Sequence, residues 1–223
     1  MKISARRKLI MLEIIFTVIV VCSNAVNAKV VQFDLFSFEV ILPGSALYYI
    51  FTFLISNLIS ESYGSDEAKM CVKQGIVAQA VATIIFISAR MLPAQDGAIQ
   101  DSFIAILGKN WVFVVADITA CLISHFSQIL VFNNLRNNSR LDSRFRNMIS
   151  MILSQCIDTF VFLGVAFGLG FMWFATPEGQ LQLLSMFVCQ YIVKFLVVII
   201  MTPAFPVLVN MLKEGNKDER DTR

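Results

Sequence analysis

The sequence predicts an all-α integral membrane protein with six transmembrane helices and both termini cytoplasmic, and three observations carry that expectation. Of the 223 residues, 57% belong to the AVILMFWYC set and 15% are charged, where a soluble domain carries about 25%. The mean hydropathy is +0.72. The apolar residues also gather into six stretches, each near the roughly 20 residues that a spanning helix needs. These values exclude a disordered chain, whose apolar side chains could not stay solvated. A formal charge of +2 offers no overall basic field for nucleic acid.

The stretches are Leu9 to Asn27, Val40 to Ser60, Val72 to Ala89, Trp111 to Leu135, Met148 to Phe174 and Leu181 to Leu212. The connections between them are too short for a soluble unit, so residues 1–223 form one membrane domain with short cytoplasmic tails at 1–8 and 213–223. The first stretch has the basic start of a signal peptide and a small residue at Ala28, but Asn24 and Asn27 occupy the cleavage region, so it is read as retained. Glu13, near the start of that stretch, is assigned to the interface. Between the third and fourth stretches, Met91 to Asn110 holds Pro93, Gly97 and Gly108 around a short apolar piece, Phe103 to Leu107. A surface helix and a re-entrant element both fit it.

Orientation follows from the cations. With the N-terminus inside, every Lys and Arg falls on the cytoplasmic side except Lys29, Arg90, Lys109 and Lys194, the last of which lies within a span. The expected location is the cell membrane, the inner one in a Gram-negative host. Cys22, Cys71, Cys121, Cys156 and Cys189 show no CxxC spacing and read as small hydrophobes.

Ionisable groups inside the spans carry the functional signal. Asp117, Asp158 and Lys194 each cost roughly 2.5 to 3.5 kcal/mol at a helix centre, so each requires a partner, water or a ligand. Helical spacing gathers polar residues beside them. Arg146, Ser150, Ser154 and Asp158 recur at four-residue steps with Gln155 and Phe162 flanking; Gln190, Tyr191, Lys194 and Thr202 share a side; so do Asp117, Cys121, Ser124 and Gln128, with His125 adjacent. A further stripe runs through Ser45, Tyr48, Tyr49, Thr52 and Ser56, bordered by Asn57. Such faces converge either on a hydrophilic cavity or on one another, and an Asp158–Lys194 ion pair that braces the last two helices is the structural alternative. His125 lacks a second ligand at metal spacing and reads as a packing residue. No HExxH, GxSG or GxGD pattern and no phosphate-binding Gly-rich loop occurs, so the chain is read as neither an enzyme nor an ATPase, with no cofactor.

Several runs carry a family resemblance. Asn57-Leu-Ile-Ser-Glu61-Ser-Tyr63-Gly64 resembles the Asp…Glu-x-Tyr-Gly signature that closes the second span of the queuosine precursor transporter family, also called the vitamin uptake transporter family. Ser154-Gln155-Cys-Ile-Asp158-Thr159 is similar to its fifth-span motif, Tyr191-Ile-Val-Lys194 with Thr202-Pro203 to its sixth, and Ser23-Asn24 to the end of its first. Asn57 stands where the family usually has Asp, and Ser124-His125 with Gln128 where Ser-Gln-x-x-Asp is common. The resemblance implies import of the 7-cyano or 7-aminomethyl derivative of 7-deazaguanine for tRNA modification. Asn24, Asn57, Gln155, Asp158, Tyr191 and Lys194 are then the expected substrate-binding residues, with Glu61, Asp117 and His125 as gate or coupling residues. Asp158 suits the two adjacent donors of a guanine-like edge, because a carboxylate accepts bidentately. The expected partners are this deazapurine and the bilayer, with no nucleic acid; a homo-oligomer is compatible with the sequence. The alternative is the substrate-binding membrane subunit of an energy-coupling vitamin importer.

Overall fold

The computed structural model describes residues 3–26, 29–35, 38–107, 111–170 and 172–214. Its helices are α1 (Ile3–Val26), α2 (Ala46–Ser62), α3 (Ser65–Met91), α4 (Gly97–Leu107), α5 (Trp111–Asn138), α6 (Ser143–Leu163), α7 (Pro177–Met201) and α8 (Ala204–Glu214). Strands β1 (Val30–Leu35) and β2 (Phe38–Pro43) form an antiparallel hairpin between α1 and α2. Every predicted apolar stretch therefore holds a helix. Among the described residues, four of them, Ser65–Met91, Val114–Asn138, Ser143–Leu169 and Pro177–Met201, are long and apolar enough to cross a bilayer.

The second predicted stretch is corrected at its start. Residues Phe38–Pro43 are a strand, paired Val30↔Pro43 through Leu35↔Phe38, and the helix begins only at Ala46. Gly44 and Ser45 separate strand from helix, and Gly44 N–H bonds the Lys29 carbonyl at 2.7 Å to close the hairpin. The resulting α2 has 17 residues, about 25 Å at 1.5 Å per residue. It is buried without a break from Thr52 to Ser60, which marks it as the axis of the bundle.

Two apolar clusters meet on α2. One joins Leu9, Phe16 and Val20 of α1 to Ile55 and Ile59 of α2, Cys71 and Val72 of α3 and Ile129 of α5. The other joins Phe53 and Leu58 of α2 to Phe132, Met151, Val198, Phe205 and Val209 of α5 to α8. The outward faces are as oily as the core: Val77, Val81, Ile84 and Ile85 on α3 and Leu184, Val188, Ile192 and Ile200 on α7 are exposed, as lipid contact requires. None of the α4 residues is buried, so that segment lies on the outside of the bundle.

The last predicted stretch is also corrected. Leu181 to Leu212 is not one helix: α7 starts earlier, at Pro177, with Thr176 as N-cap accepting from Gly179 N–H at 3.2 Å, and stops at Met201. Pro203 has no N–H to continue the ladder, and the chain resumes as α8. The α6 segment runs past Leu163 into a π-helical turn, Gly164–Leu169, where Gly170 N–H bonds the Val165 carbonyl five residues back at 3.1 Å. It ends there, short of the predicted Phe174, which instead folds back in a 3-10 turn (Trp173–Ala175) against Gly168.

A Cβ on Gly75 would lie 2.5 Å from Phe16 Cε1, and Phe16 is itself fully buried with its ring edge on His125. Gly75→Val should therefore lower stability by about 1 to 3 kcal/mol, read as a lower melting temperature in detergent. Gly97→Ala, with nothing within 4 Å of the new methyl, should not lower it. An unchanged melting temperature for Gly75→Val would show that α1 and α3 do not meet this closely.

Candidate functional site

All six long elements contribute to one polar cavity. Its walls are Val20 and Ser23 of α1, Ser45, Ala46 and Tyr49 of α2, Gln79 of α3, Asp117 and Ala120 of α5, Asp158 and Phe162 of α6, and Gln190 and Lys194 of α7. The α1 and α6 residues lie near the ends of their helices and the α2 and α5 residues near the starts, so the cavity sits toward the hairpin end of the bundle. The space between the walls is ≈ 500 Å³ including open solvent, with ≈ 50 Å³ for the centres of water-sized molecules. That admits a few waters; a larger guest requires the helices to part.

The charged centre is a pair across α6 and α7. Lys194 Nζ donates to Asp158 Oδ2 at 3.0 Å and to Thr159 Oγ1 at 3.0 Å, while Ser124 Oγ of α5 donates to Asp158 Oδ1 at 3.2 Å. Both side chains are buried, at 9% exposure for Asp158 and 6% for Lys194. Each carboxylate oxygen offers two lone pairs and an ammonium three protons, so this pair holds unused acceptor and donor capacity. Asp117 adds a second carboxylate to the same cavity. On these walls Ser23 Oγ and Gln190 Nε2 have no hydrogen-bond partner; nor has either amide atom of Gln155, which is buried one turn before Asp158 but does not itself line the cavity. Buried amides without partners are rare in finished cores.

Other predicted residues lie elsewhere. Asn57 does not line the cavity; its amide donates to Asn147 Oδ1 at 2.7 Å and to Ser150 Oγ at 2.9 Å, joining α2 to α6. Tyr191 also lies off the wall, stacked on Phe187, with its hydroxyl donating to the Ile152 carbonyl at 3.4 Å. Tyr48, predicted on the polar stripe of α2, is 59% exposed. His125 lies off the cavity wall, stacked on Phe53 at 4.1 Å between ring centres, with Thr52 Oγ1 at 3.2 Å from Nε2. Beside it, Ser56 donates to Gln128, which donates to the Phe53 carbonyl. The side chain of Asn24 lies outside the described residues.

Glu61 gathers cations at the opposite end. Arg146 Nη2 reaches both of its oxygens at 3.2 Å, Lys213 Nζ stands at 3.7 Å and Arg136 Nε at 3.9 Å. Helices α2, α5, α6 and α8 are tied there. In the loop before α6, a hydrogen bond from Arg144 holds the Asp142 carboxyl below its usual range, while burial pushes the Tyr63 hydroxyl up.

Four wall residues, Val20, Ala46, Gln79 and Ala120, escaped the sequence reading. Gln79 is buried among the apolar residues of α3, four residues after Gly75, and a buried polar side chain at that spacing was the available signal. Phe162 was read as flanking the α6 stripe, but Val20 and Ala120 carry no polar mark at all.

The family described as "Putative vitamin uptake transporter" matches residues 43–208. The chain belongs to this family. The match takes in every wall residue except Val20 and Ser23. The chain is also 28% identical over 192 residues to a protein of Bacillus subtilis (strain 168) described as "Probable queuosine precursor transporter", covering 82% of this chain and 76% of that one. No solved structure matches.

Removing one member of a buried ion pair strands the other. Lys194→Met should destabilise the protein by about 3 to 5 kcal/mol, and adding Asp158→Asn should restore most of that loss, measured by unfolding in detergent. Losses that simply add would show that the two side chains do not depend on each other.

Proposed function

We propose that this chain imports queuosine precursors, the 7-cyano or 7-aminomethyl derivative of 7-deazaguanine, across the cell membrane for tRNA modification. The observation that carries this reading is the Asp158–Lys194 pair on the wall of a polar cavity. Membership of a transporter family and the printed description of the Bacillus relative support it. In this reading the ring N–H and exocyclic amine of the base donate to the lone pairs of Asp158 that Lys194 and Ser124 leave open, and the third proton of Lys194 meets the ring carbonyl. Gln155 and Gln190, whose amide atoms include ones without a protein partner, supply further donors and acceptors. Asn57 and Tyr191 act through the helices they join. Asp117 is the candidate for proton coupling, and the Glu61 cluster closes the cytoplasmic end.

The same reading takes α1, α2, α3, α5, α6 and α7 as the spans of a single membrane domain, with both termini cytoplasmic on the evidence of the Lys and Arg distribution. Transport then alternates between opening at the hairpin end and release of the Glu61 cluster.

The test is a cell that cannot make the precursor and lacks its own importer, fed the precursor with and without this chain. Expression of the chain should restore queuosine in tRNA, and Asp158→Asn should insert into the membrane yet leave queuosine at background. The Asp158→Asn/Lys194→Met double variant should also fail to import despite its recovered stability. Restored uptake in that double variant would make the pair a brace only, and an inactive native chain would reject the assignment.

A further inference from the structure

We propose that the Glu61 end of the bundle binds a phosphate-bearing anion between Arg136 and Lys213. One carboxylate faces three cations there, all within 4.0 Å. Arg146 takes both Glu61 oxygens at 3.2 Å and by itself matches the single negative charge. Arg136 Nε at 3.9 Å and Lys213 Nζ at 3.7 Å stand beyond hydrogen-bonding distance, so Glu61 attracts them without saturating them. Arg136 spends Nη1 on the Ser60 carbonyl at 3.0 Å, which fixes the plane of its guanidinium and leaves Nη2 unassigned.

The two outer cations are also the accessible ones. Their side chains are 40% and 49% exposed, against 14% for Arg146. Lys8 adds a fourth positive charge beside them, held on the Met211 carbonyl at 3.1 Å, two residues before Lys213. A planar guanidinium and a mobile ammonium on one rim suit a tetrahedral oxyanion, because the first gives paired donors and the second a point charge.

The neighbouring surface indicates an amphiphilic source for that phosphate. Helix α8 buries Phe205 and Val209 but exposes Val207 and Met211, so apolar side chains lie next to Lys213 at the edge of the bundle. A phospholipid would lay its chains along Val207 and Met211 with its headgroup on Lys213 and Arg136; free phosphate would use the cations alone. Either anion draws Arg136 and Lys213 away from Glu61 and loosens the tie between α2, α5 and α8.

The experiment uses the full chain in neutral detergent with phosphatidylglycerol, phosphatidylcholine and inorganic phosphate as probes. Native mass spectrometry should find phosphatidylglycerol retained in preference to phosphatidylcholine. Arg136→Gln and Lys213→Gln should each weaken that retention about fivefold, the equivalent of about 1 kcal/mol per surface cation. Arg144→Gln, whose cation is already paired with Asp142 at 2.7 Å, should leave it unchanged. Should no lipid be retained while phosphate raises the melting temperature of the native chain but not of Lys213→Gln, the site stands with free phosphate as its ligand. Lys213 is half exposed, so its variant folds even if Arg136→Gln does not. Binding of neither probe, or equal weakening by Arg144→Gln, would overturn the proposal.

Discussion

An ammonium and a carboxylate 3.0 Å apart, Lys194 on α7 and Asp158 on α6, are the constraint that the rest of the bundle satisfies. Neither charge is tolerable alone in hydrocarbon. Each is therefore surrounded by hydroxyls from the adjacent helices, Ser124 on the carboxylate and Thr159 on the ammonium. Around that centre α2 is buried without a break from Thr52 to Ser60, and α1, α3, α5 and α7 turn their oiliest faces outward.

Buried polar side chains tie helices together in both halves of the bundle. Toward the Glu61 end Asn57 bonds Asn147 and Ser150, Ser56 bonds Gln128, and Thr52 meets His125. Such bonds lock helices at a fixed spacing. Both halves also keep buried polar atoms without partners, Asn57 Oδ1, Asn147 Nδ2 and Arg146 Nε toward the Glu61 end, and atoms of Ser23, Gln155 and Gln190 toward the hairpin end. What sets the hairpin end apart is the cavity, with Asp117, Asp158 and Lys194 together on its walls.

Much of this was legible in the sequence because a helix writes its buried face at every third and fourth residue. Ser150, Ser154 and Asp158 fall together as their spacing predicts, and so do Asp117, Cys121 and Ser124. Spacing gives the face and not the depth, so it does not show that Asn57 bonds across to α6 or that the Tyr191 hydroxyl reaches the Ile152 carbonyl, two residues that the family resemblance grouped with Asp158. The hairpin was lost for a different reason. The end of the second strand, from Val40 to Pro43, is apolar enough to merge with the helix that follows, and hydropathy alone cannot separate a short strand from the start of a span; the first strand, Val30–Leu35, fell in the connection before it. The break at Pro203 was visible, yet the apolar run through it hid the change of direction into α8.

The most direct test of the cavity as a receptor is calorimetric titration of the purified chain with the 7-cyano and 7-aminomethyl compounds. The account predicts saturable binding of at least one of them to the native protein. It predicts a loss of at least about a hundredfold in affinity when Asp158 and Lys194 are replaced together, as expected when two charge-assisted hydrogen bonds disappear. Equal affinity in a folded double variant would contradict it.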